Sequence, residues 1–351
     1  MVLYAFALFL IVIALLPLTQ GTHWIIRGWD FIRVQTSVLQ IVILGLILGL
    51  EFPQSPWQYV VFISLIITLG FQLYVVFPYT SFFPRKHKKP DNAEMLNKIS
   101  LLSANVLQTN REYHKLIEQV NLHQPDLLLV METDKDWENG LKELEEDYPN
   151  VVRVPLDNFY GMHLYSKYEL SETQVNYLVE KDVPSIFTKV HHGGATPVEL
   201  ICVHPAPPSP TENETSEERD AELLIVGKAV RVLEDNHPII VCGDLNDVVW
   251  SRVSRLFAKV TGLIDPRIGR GLFPTFHADY WYLRFPIDHL FHSTNVTVDT
   301  MQRLPNIGSD HYPMFFTFWL ENGKPIETPE VEQEVEQEVE ERIDEGLERA
   351  E

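Results

Sequence analysis

Residues able to bind cations and move protons recur at intervals along the middle of this chain. Asn105 lies in LLSANVLQTN, Glu132 in LLLVMETD and His204 in LICVHPAPP. Asp244 and Asn246 lie in IIVCGDLND, Asp288 in FPIDHLF, and Asp310 with His311 in IGSDHYPM. Several of these residues follow an apolar, strand-like run. Acids, amides and imidazoles at the ends of buried strands suit metal-assisted phosphoester chemistry. A phosphoester is anionic, so attack on it needs a cation to neutralise charge. Hard Mg²⁺ prefers oxygen ligands and keeps several waters, so one or two protein oxygens suffice.

The elements that must position these residues read as alternating strands and helices. Lys98 to Ala104 reads as a strand, and Arg111 to Leu122 has apolar residues at helical spacing. Asp126 to Met131, apolar after its first residue, and Pro238 to Cys242 read as strands of the kind buried on both faces. Trp137 to Tyr148 reads as a charged amphipathic helix. Met162 to Tyr165, Ile186 to Val190 and Val198 to Val203 read as strands, as do Ile287 to Phe291 and Met314 to Trp319. Thr215 with Glu218 fits a capping box opening a helix that runs to about Glu234. Val253 to Val260 reads as a short helix.

The ordered set of Asn105, Glu132, His204, Gly-Asp-Leu-Asn, Asp288-His289 and Ser309-Asp310-His311 resembles the endonuclease/exonuclease/phosphatase superfamily. The resemblance covers about residues 97–320. It implies a four-layer α/β sandwich, two mixed β-sheets packed face to face and flanked by helices. It also implies that Glu132 and Asn105 ligate the metal, with Asp310 near it. Asp244 would position or deprotonate the attacking water, and Asn246 would bond the phosphate or hold that water. His311 would contact the scissile phosphate, oriented by Asp288, and His204 would donate to a phosphate oxygen. The chain departs from some relatives at Leu107, where they carry an acid; the thinner metal shell points to one ion.

Further substrate-binding candidates are Tyr160 and Asn158, before the GMHLYSK strand; Arg219, which also has Asp220 beside it; Thr275 in FPTFHADY; and Arg270. Arg270 lies in a basic stretch with Arg252, Arg255, Lys259, Arg267 and Arg284, opposed only by Asp265 and Asp279. Such a patch in an acidic domain suggests a confined anionic substrate. His191-His192 reads as an exposed turn and His289 as structural. The sequence holds no HExxH, no Gly-Lys-Ser/Thr phosphate loop and no Gly-x-Ser-x-Gly elbow. Cys202 and Cys242 read as buried free thiols.

The first part of the chain differs in kind. Val2 to Leu18, Ser37 to Leu50 and Tyr59 to Phe77 are apolar runs; the first and third approach the roughly 17–25 residues that span a bilayer, and the shorter second needs its flanks, Thr36 and Phe52, to reach across. Residues 1–83 therefore read as an anchor of three transmembrane helices, and 84–96 as a basic linker. The first run lacks the basic start and small-x-small site of a signal peptide. Arg27 and Arg33, with Arg85, Lys86, Lys88 and Lys89, place the catalytic domain on the cytoplasmic side of a cell membrane. The net charge is −21, and residues 91–320 carry −15 of it. That disfavours a general nucleic-acid binder, because counterion release needs basic surface. Residues 321–351 hold three basic and thirteen acidic residues and read as a disordered tail.

These features lead to the expectation of a membrane-anchored, Mg²⁺-dependent phosphoester hydrolase, with Mn²⁺ as the other suitable ion. Its partners would be the bilayer and a membrane-associated phosphodiester or diphosphate, with no obligate protein partner evident. The alternatives are a nuclease on DNA or RNA, and a non-catalytic membrane adaptor docking through the acidic tail.

Overall fold

The structure is a computed structural model, and it describes residues 1–85, 97–234, 236–321, 323–326 and 329–351. The expected basic linker lies outside the described residues from 86 to 96. The described residues fall into two compact units.

The first unit comprises residues 1–84 with two later segments, 208–216 and 268–272. Its helices are α1 (Val2–Leu15), α2 (Trp24–Phe31), α3 (Arg33–Leu50) and α4 (Pro56–Val76). Ser55 and Gln58 close a capping box around the start of α4, with Pro56 in its first turn. Three stretches, Val2–Thr19, Arg33–Leu50 and Pro56–Tyr79, are long and apolar enough to cross a membrane. The second begins earlier than its apolar run, at Arg33, which forms a buried pair with Asp30. Tyr4, Leu10, Ile47 and Leu65 pack between the helices. Also buried there are Gln40, Thr68 and Gln72: Gln72 Nε2 donates to Gln40 Oε1 (2.7 Å), and Gln40 Nε2 to Thr68 Oγ1 (3.1 Å). The outward faces carry Val60, Ile63 and Ile67, all exposed. Within this unit the Trp24 amide donates to Glu214 O (3.0 Å) and the Gly269 amide to Pro78 O (2.9 Å).

The second unit holds the strands. One sheet has the order β10-β11-β1-β2-β4-β3: Val296–Arg303, Met314–Leu320, Asn97–Asn105, Leu127–Met131, Met162–Ser166 and Asn150–Val154. The other runs β5 to β9: Glu169–Asn176, Ser185–His191, Val198–Cys202, Ile239–Asp244 and Asp288–His292. Only β1 with β2, and β7 with β8, pair in parallel, so both sheets are mixed. The helices are α5 (Tyr113–His123), α6 (Lys135–Gly140), α7 (Glu217–Val230), α8 (Arg252–Thr261) and α9 (Gln333–Ala350).

Four layers require three apolar interfaces, and side-chain alternation supplies them. Leu101, Leu129, Leu200 and Ile240 point between the sheets. Their neighbours Leu102 and Leu128 face outward against Leu116 and Trp137 of the α5 and α6 side. Ile201 and Val241 face Leu224, Phe257 and Val339 on the other side. The expected sandwich of two mixed sheets flanked by helices is therefore present.

Three local expectations fail. The helix expected over Trp137 to Tyr148 ends at Gly140 and continues only as a 3₁₀ turn, Lys142–Glu146. The helix expected to open at Thr215 opens at Glu217, while Thr215 instead bridges to His23 within the first unit. Much of the tail expected to be disordered is helical: α9, Gln333–Ala350, packs on α7 and buries Val339 and Ile343. Repulsion along its glutamates is relieved by cations from elsewhere. Glu340 meets Lys228 (2.7 Å), Glu336 meets Arg231 (3.4 Å) and Glu338 meets Arg252 (2.8 Å).

Candidate active site

The parallel strands of both sheets end at one place. Asn105 closes β1, Glu132 follows β2, His204 follows β7 and Asp244 closes β8. Asp288 opens β9, antiparallel to β8 and paired with it at Asp244. His311 precedes β11 and sits beside them. The approach of β8 to β7 depends on Gly243, which has φ +144; a Cβ there would stand 1.9 Å from the Val203 carbonyl oxygen. Beyond it the chain turns sharply. The Asn246 amide donates to Asp244 Oδ1 (3.0 Å), and Asn246 itself has φ +50. Glu132 (φ +60) and Leu107 (φ +57) share that strained backbone region, which costs stability and clusters at functional sites.

The side chains form two linked groups. In the first, Asn105 Nδ2 donates to Glu132 Oε1 (2.7 Å) and Asp244 Oδ2 (3.2 Å). Asn105 Oδ1 accepts from the Leu107 amide (3.1 Å). In the second, His311 lies between two carboxylates: Nδ1 is 2.9 Å from Asp288 Oδ2, and Nε2 is 3.5 Å from Asp244 Oδ2. Ligand atoms of Asp244, Asp288 and His311 all lie within 4.8 Å of one another. His204 Nε2 is 3.9 Å from Asp244 Oδ2, and its Nδ1 has no hydrogen-bond partner among the described residues.

Burial sets the charges. It pushes the Glu132 carboxyl up to about 7, against the pull of the Asn105 amide. It likewise pushes Asp244 up to about 7, although His311 pulls it down. Burial would lower His311, but Asp288 and Asp244 outweigh it and hold the imidazole up at about 10. His204 has no such carboxylate bond; burial, then the His311 charge, bring it down to about 3. The site thus holds one imidazolium and one neutral imidazole. Two recessed carboxyls near neutrality beside an amide form a hard oxygen donor set, which fits Mg²⁺ or Mn²⁺ better than a soft ion.

The remaining candidates separate. The Tyr160 ring lies 5.3 Å from the His204 ring, on the wall of the site. Asn158 does not reach in: its Nδ2 donates to Asp182 O (3.0 Å), and its Oδ1 accepts from the Tyr160 amide (3.1 Å). Arg219 is neither a phosphate ligand nor a solvent salt bridge. It is 2% exposed, pairs with Asp220 (2.7 Å) and Asp247 (3.2 Å), and donates to Asn246 O (2.7 Å). It pins the turn after β8 from behind. Thr275 is fully buried beside the Ser-Asp-His segment, its carbonyl accepting from the Tyr312 amide (3.2 Å). Arg270 belongs to the first unit. Asp310 raises both Glu132 and His311 by its charge. His289 is structural, its Nε2 2.8 Å from Asp247 O.

Two supports escaped the sequence reading. Gln108 donates its amide to Glu132 Oε2 (3.3 Å) and accepts from the Phe159 amide (2.7 Å). Arg267 is buried against Asp265 (2.9 Å) and donates to Asp288 O (3.2 Å). The only available signal was its place two residues after Asp265.

Residues 101–311 match the profile described as "Endonuclease/Exonuclease/phosphatase family". No curated protein sequence matches the chain. Among solved structures, D. rerio TDP2 complexed with a single-strand DNA product is 19% identical, with TM-score 0.54, covering 63% of this chain and 99% of that one. The human nocturnin catalytic domain with bound sulfate is 15% identical, TM-score 0.51, over 64% and 98%. An endonuclease/exonuclease/phosphatase from Beutenbergia cavernae is 14% identical, TM-score 0.52, over 64% and 72%.

Proposed function

The chain belongs to the endonuclease/exonuclease/phosphatase family of metal-dependent phosphoester hydrolases, and we propose that it is a membrane-anchored member acting on a membrane-associated phosphodiester or diphosphate. The observation that carries the catalytic part is His311 held between Asp288 and Asp244, facing the Asn105–Glu132 pair. The membrane part rests on three helices long and apolar enough to cross a bilayer. Their outward apolar faces and inward amides support it.

Glu132, Asn105 and Asp310 would hold Mg²⁺. The ion would neutralise charge on the phosphoryl group. Asp244, with a carboxyl near neutrality, takes a proton from the attacking water at Oδ2. His311 keeps its proton because Asp288 and Asp244 flank it, and Nε2 faces the developing charge on the phosphate oxygens. His204 adds an uncharged ring N–H, and the Asn246 turn keeps Asp244 in place. The attack is in line and forms no covalent enzyme intermediate.

A second reading, nucleic acid as substrate, is favoured by the fold shared with a protein bound to a DNA product. The charge of −15 over residues 91–320 opposes it. The basic residues that follow the first and the third spans share one side of a three-span anchor, which favours a multi-pass cell-membrane protein with the catalytic unit facing the cytoplasm. The test is phosphate or phosphoester release by the full chain in lipid nanodiscs, with Mg²⁺ or EDTA. Substrates would be a lipid phosphodiester, a polyprenyl diphosphate, single-stranded DNA and RNA, with an Asp244→Ala/His311→Ala control. Metal-dependent turnover of a lipid substrate supports the reading. Turnover of nucleic acid alone sinks it.

A further inference from the structure

The basic stretch noted in the sequence does not survive folding as one patch. Arg252 meets Glu338 (2.8 Å), Lys259 meets Glu332 (3.9 Å) and Arg267 meets Asp265 (2.9 Å). Arg255 donates to Ser251 O (3.2 Å) and Arg270 lies in the first unit, whereas Arg284 meets Arg303, which the fold brings to it from the end of β10. The Arg284 guanidinium lies 5.0 Å from the centroid of the Tyr312 ring, and the Arg303 guanidinium 4.5 Å from it. Neither forms an ion pair with a carboxylate among the described residues.

Both groups are held by neutral partners. Arg284 Nη2 donates to Ala278 O (2.7 Å) and Tyr312 Oη (3.0 Å), while Arg303 Nη1 donates to Pro274 O (2.7 Å). Arg284 Nε is buried without a hydrogen-bond partner. Two guanidiniums on one ring repel each other: burial first, then the Arg284 charge, pulls Arg303 below its ordinary value. Holding like charges together without an acid is a cost that a bound anion would remove. Arginine forks suit phosphate because they bond it bidentately.

The position of the pair specifies which anion. Tyr312 directly follows His311, and the Phe276 ring lies 4.9 Å from the His311 ring. Ala278, whose carbonyl holds Arg284, donates its own amide to Asp310 O (2.6 Å). The pair is therefore held by the segment that carries Asp310 and His311.

We propose that Arg284 and Arg303, stacked on Tyr312, form a subsite for a second phosphate of the substrate, so that a doubly phosphorylated molecule is preferred over a singly phosphorylated one. The proposal rests on the reading of His311 as the scissile-phosphate contact. The second phosphate has two chemical sources, a diphosphate or a phosphate one nucleoside away.

The test is calorimetric titration of the full chain in EDTA, which prevents turnover. Inorganic pyrophosphate is compared with inorganic phosphate, and the dinucleotide pTpT with TpT. At least one doubly phosphorylated probe is expected to bind about tenfold more tightly than its partner, and which pair shows the gain identifies the source. Arg284→Gln/Arg303→Gln is expected to abolish the gain while leaving phosphate and TpT binding within about twofold. Arg303→Lys retains the charge and should keep part of the gain, which guards against a collapsed loop. Equal binding of both members in both pairs overturns the proposal, as does a gain that survives the double substitution. Failure of the catalytic reading would show separately, as absent Mg²⁺-dependent turnover in a chain that still discriminates the probes.

Discussion

The first unit turns apolar side chains outward and amides inward, whereas the second does the reverse. Ile67 is 65% exposed while Gln40 is 0% exposed, yet in the second unit Leu129 is 0% exposed. The surrounding medium decides which arrangement is stable. In water an apolar mantle of this kind is a binding or aggregation surface. In hydrocarbon there is no hydrophobic force between helices, and packing with interhelical hydrogen bonds must hold them. The second unit gains its stability from burial, and so every charged group it buries needs a purpose or a partner.

The largest expected effect lies at those buried charges. Asp244→Ala or His311→Ala should lower turnover by about 10²–10⁴-fold without unfolding the chain. Steady-state rates paired with a melting curve check this; retained turnover would remove the site from the comparison. Gly243→Ala should be worse for folding than for chemistry. Its Cβ meets the Val203 carbonyl oxygen at 1.9 Å, and both partners are backbone. A loss above about 4 kcal/mol, or no folded protein, is expected in denaturant titration.

Leu129→Ala should cost about 2–5 kcal/mol, as deletions in a sealed core do. The matching change in the first unit, Gln40→Leu, should cost only about 0.6 kcal/mol in a bilayer, because buried amides contribute little there. Unfolding of both variants in nanodiscs tests the pair. Equal costs would end the contrast between the units.

Glu222 gives a pH version of the contrast. It is fully buried, and burial pushes its carboxyl up to about 7 from an ordinary 4.5, despite a hydrogen bond from Ser185 (2.7 Å). The folded-state value lies above the unfolded one. The unfolded chain therefore releases this proton first, and stability falls as pH rises from 4.5 to about 7. Glu222→Gln should flatten that fall, which amounts to about 3 kcal/mol or less. Chemical denaturation at pH 5 and pH 8 reads it.

Legibility followed the source of each element's stability. Strands β2 and β8 stood out because they are buried on both faces and so carry unbroken apolar runs, LLLVM and IIVC. The edge strand β5 did not, since ELSETQVN is mostly exposed and its pairing with β6 comes from the backbone. Helix α9 was hidden for a related reason. Its glutamates are tolerable only because Lys228, Arg231 and Arg252 meet them from α7, the residue that follows it, and α8.

The sequence by itself determined the family, the residue types of the site and the strand ends that carry them. Those follow from local apolar runs broken by polar residues, which any window of the chain displays. Only the tertiary structure decided the partners. It turned Arg219 inward to clamp the Asn246 turn, turned Asn158 away to Asp182, and set His311 apart from His204 in charge. It also brought Arg303 to Arg284. Distances between residues far apart in the chain, and the burial that goes with them, fix charge and hydrogen bonding. Neither quantity exists until the two sheets have packed.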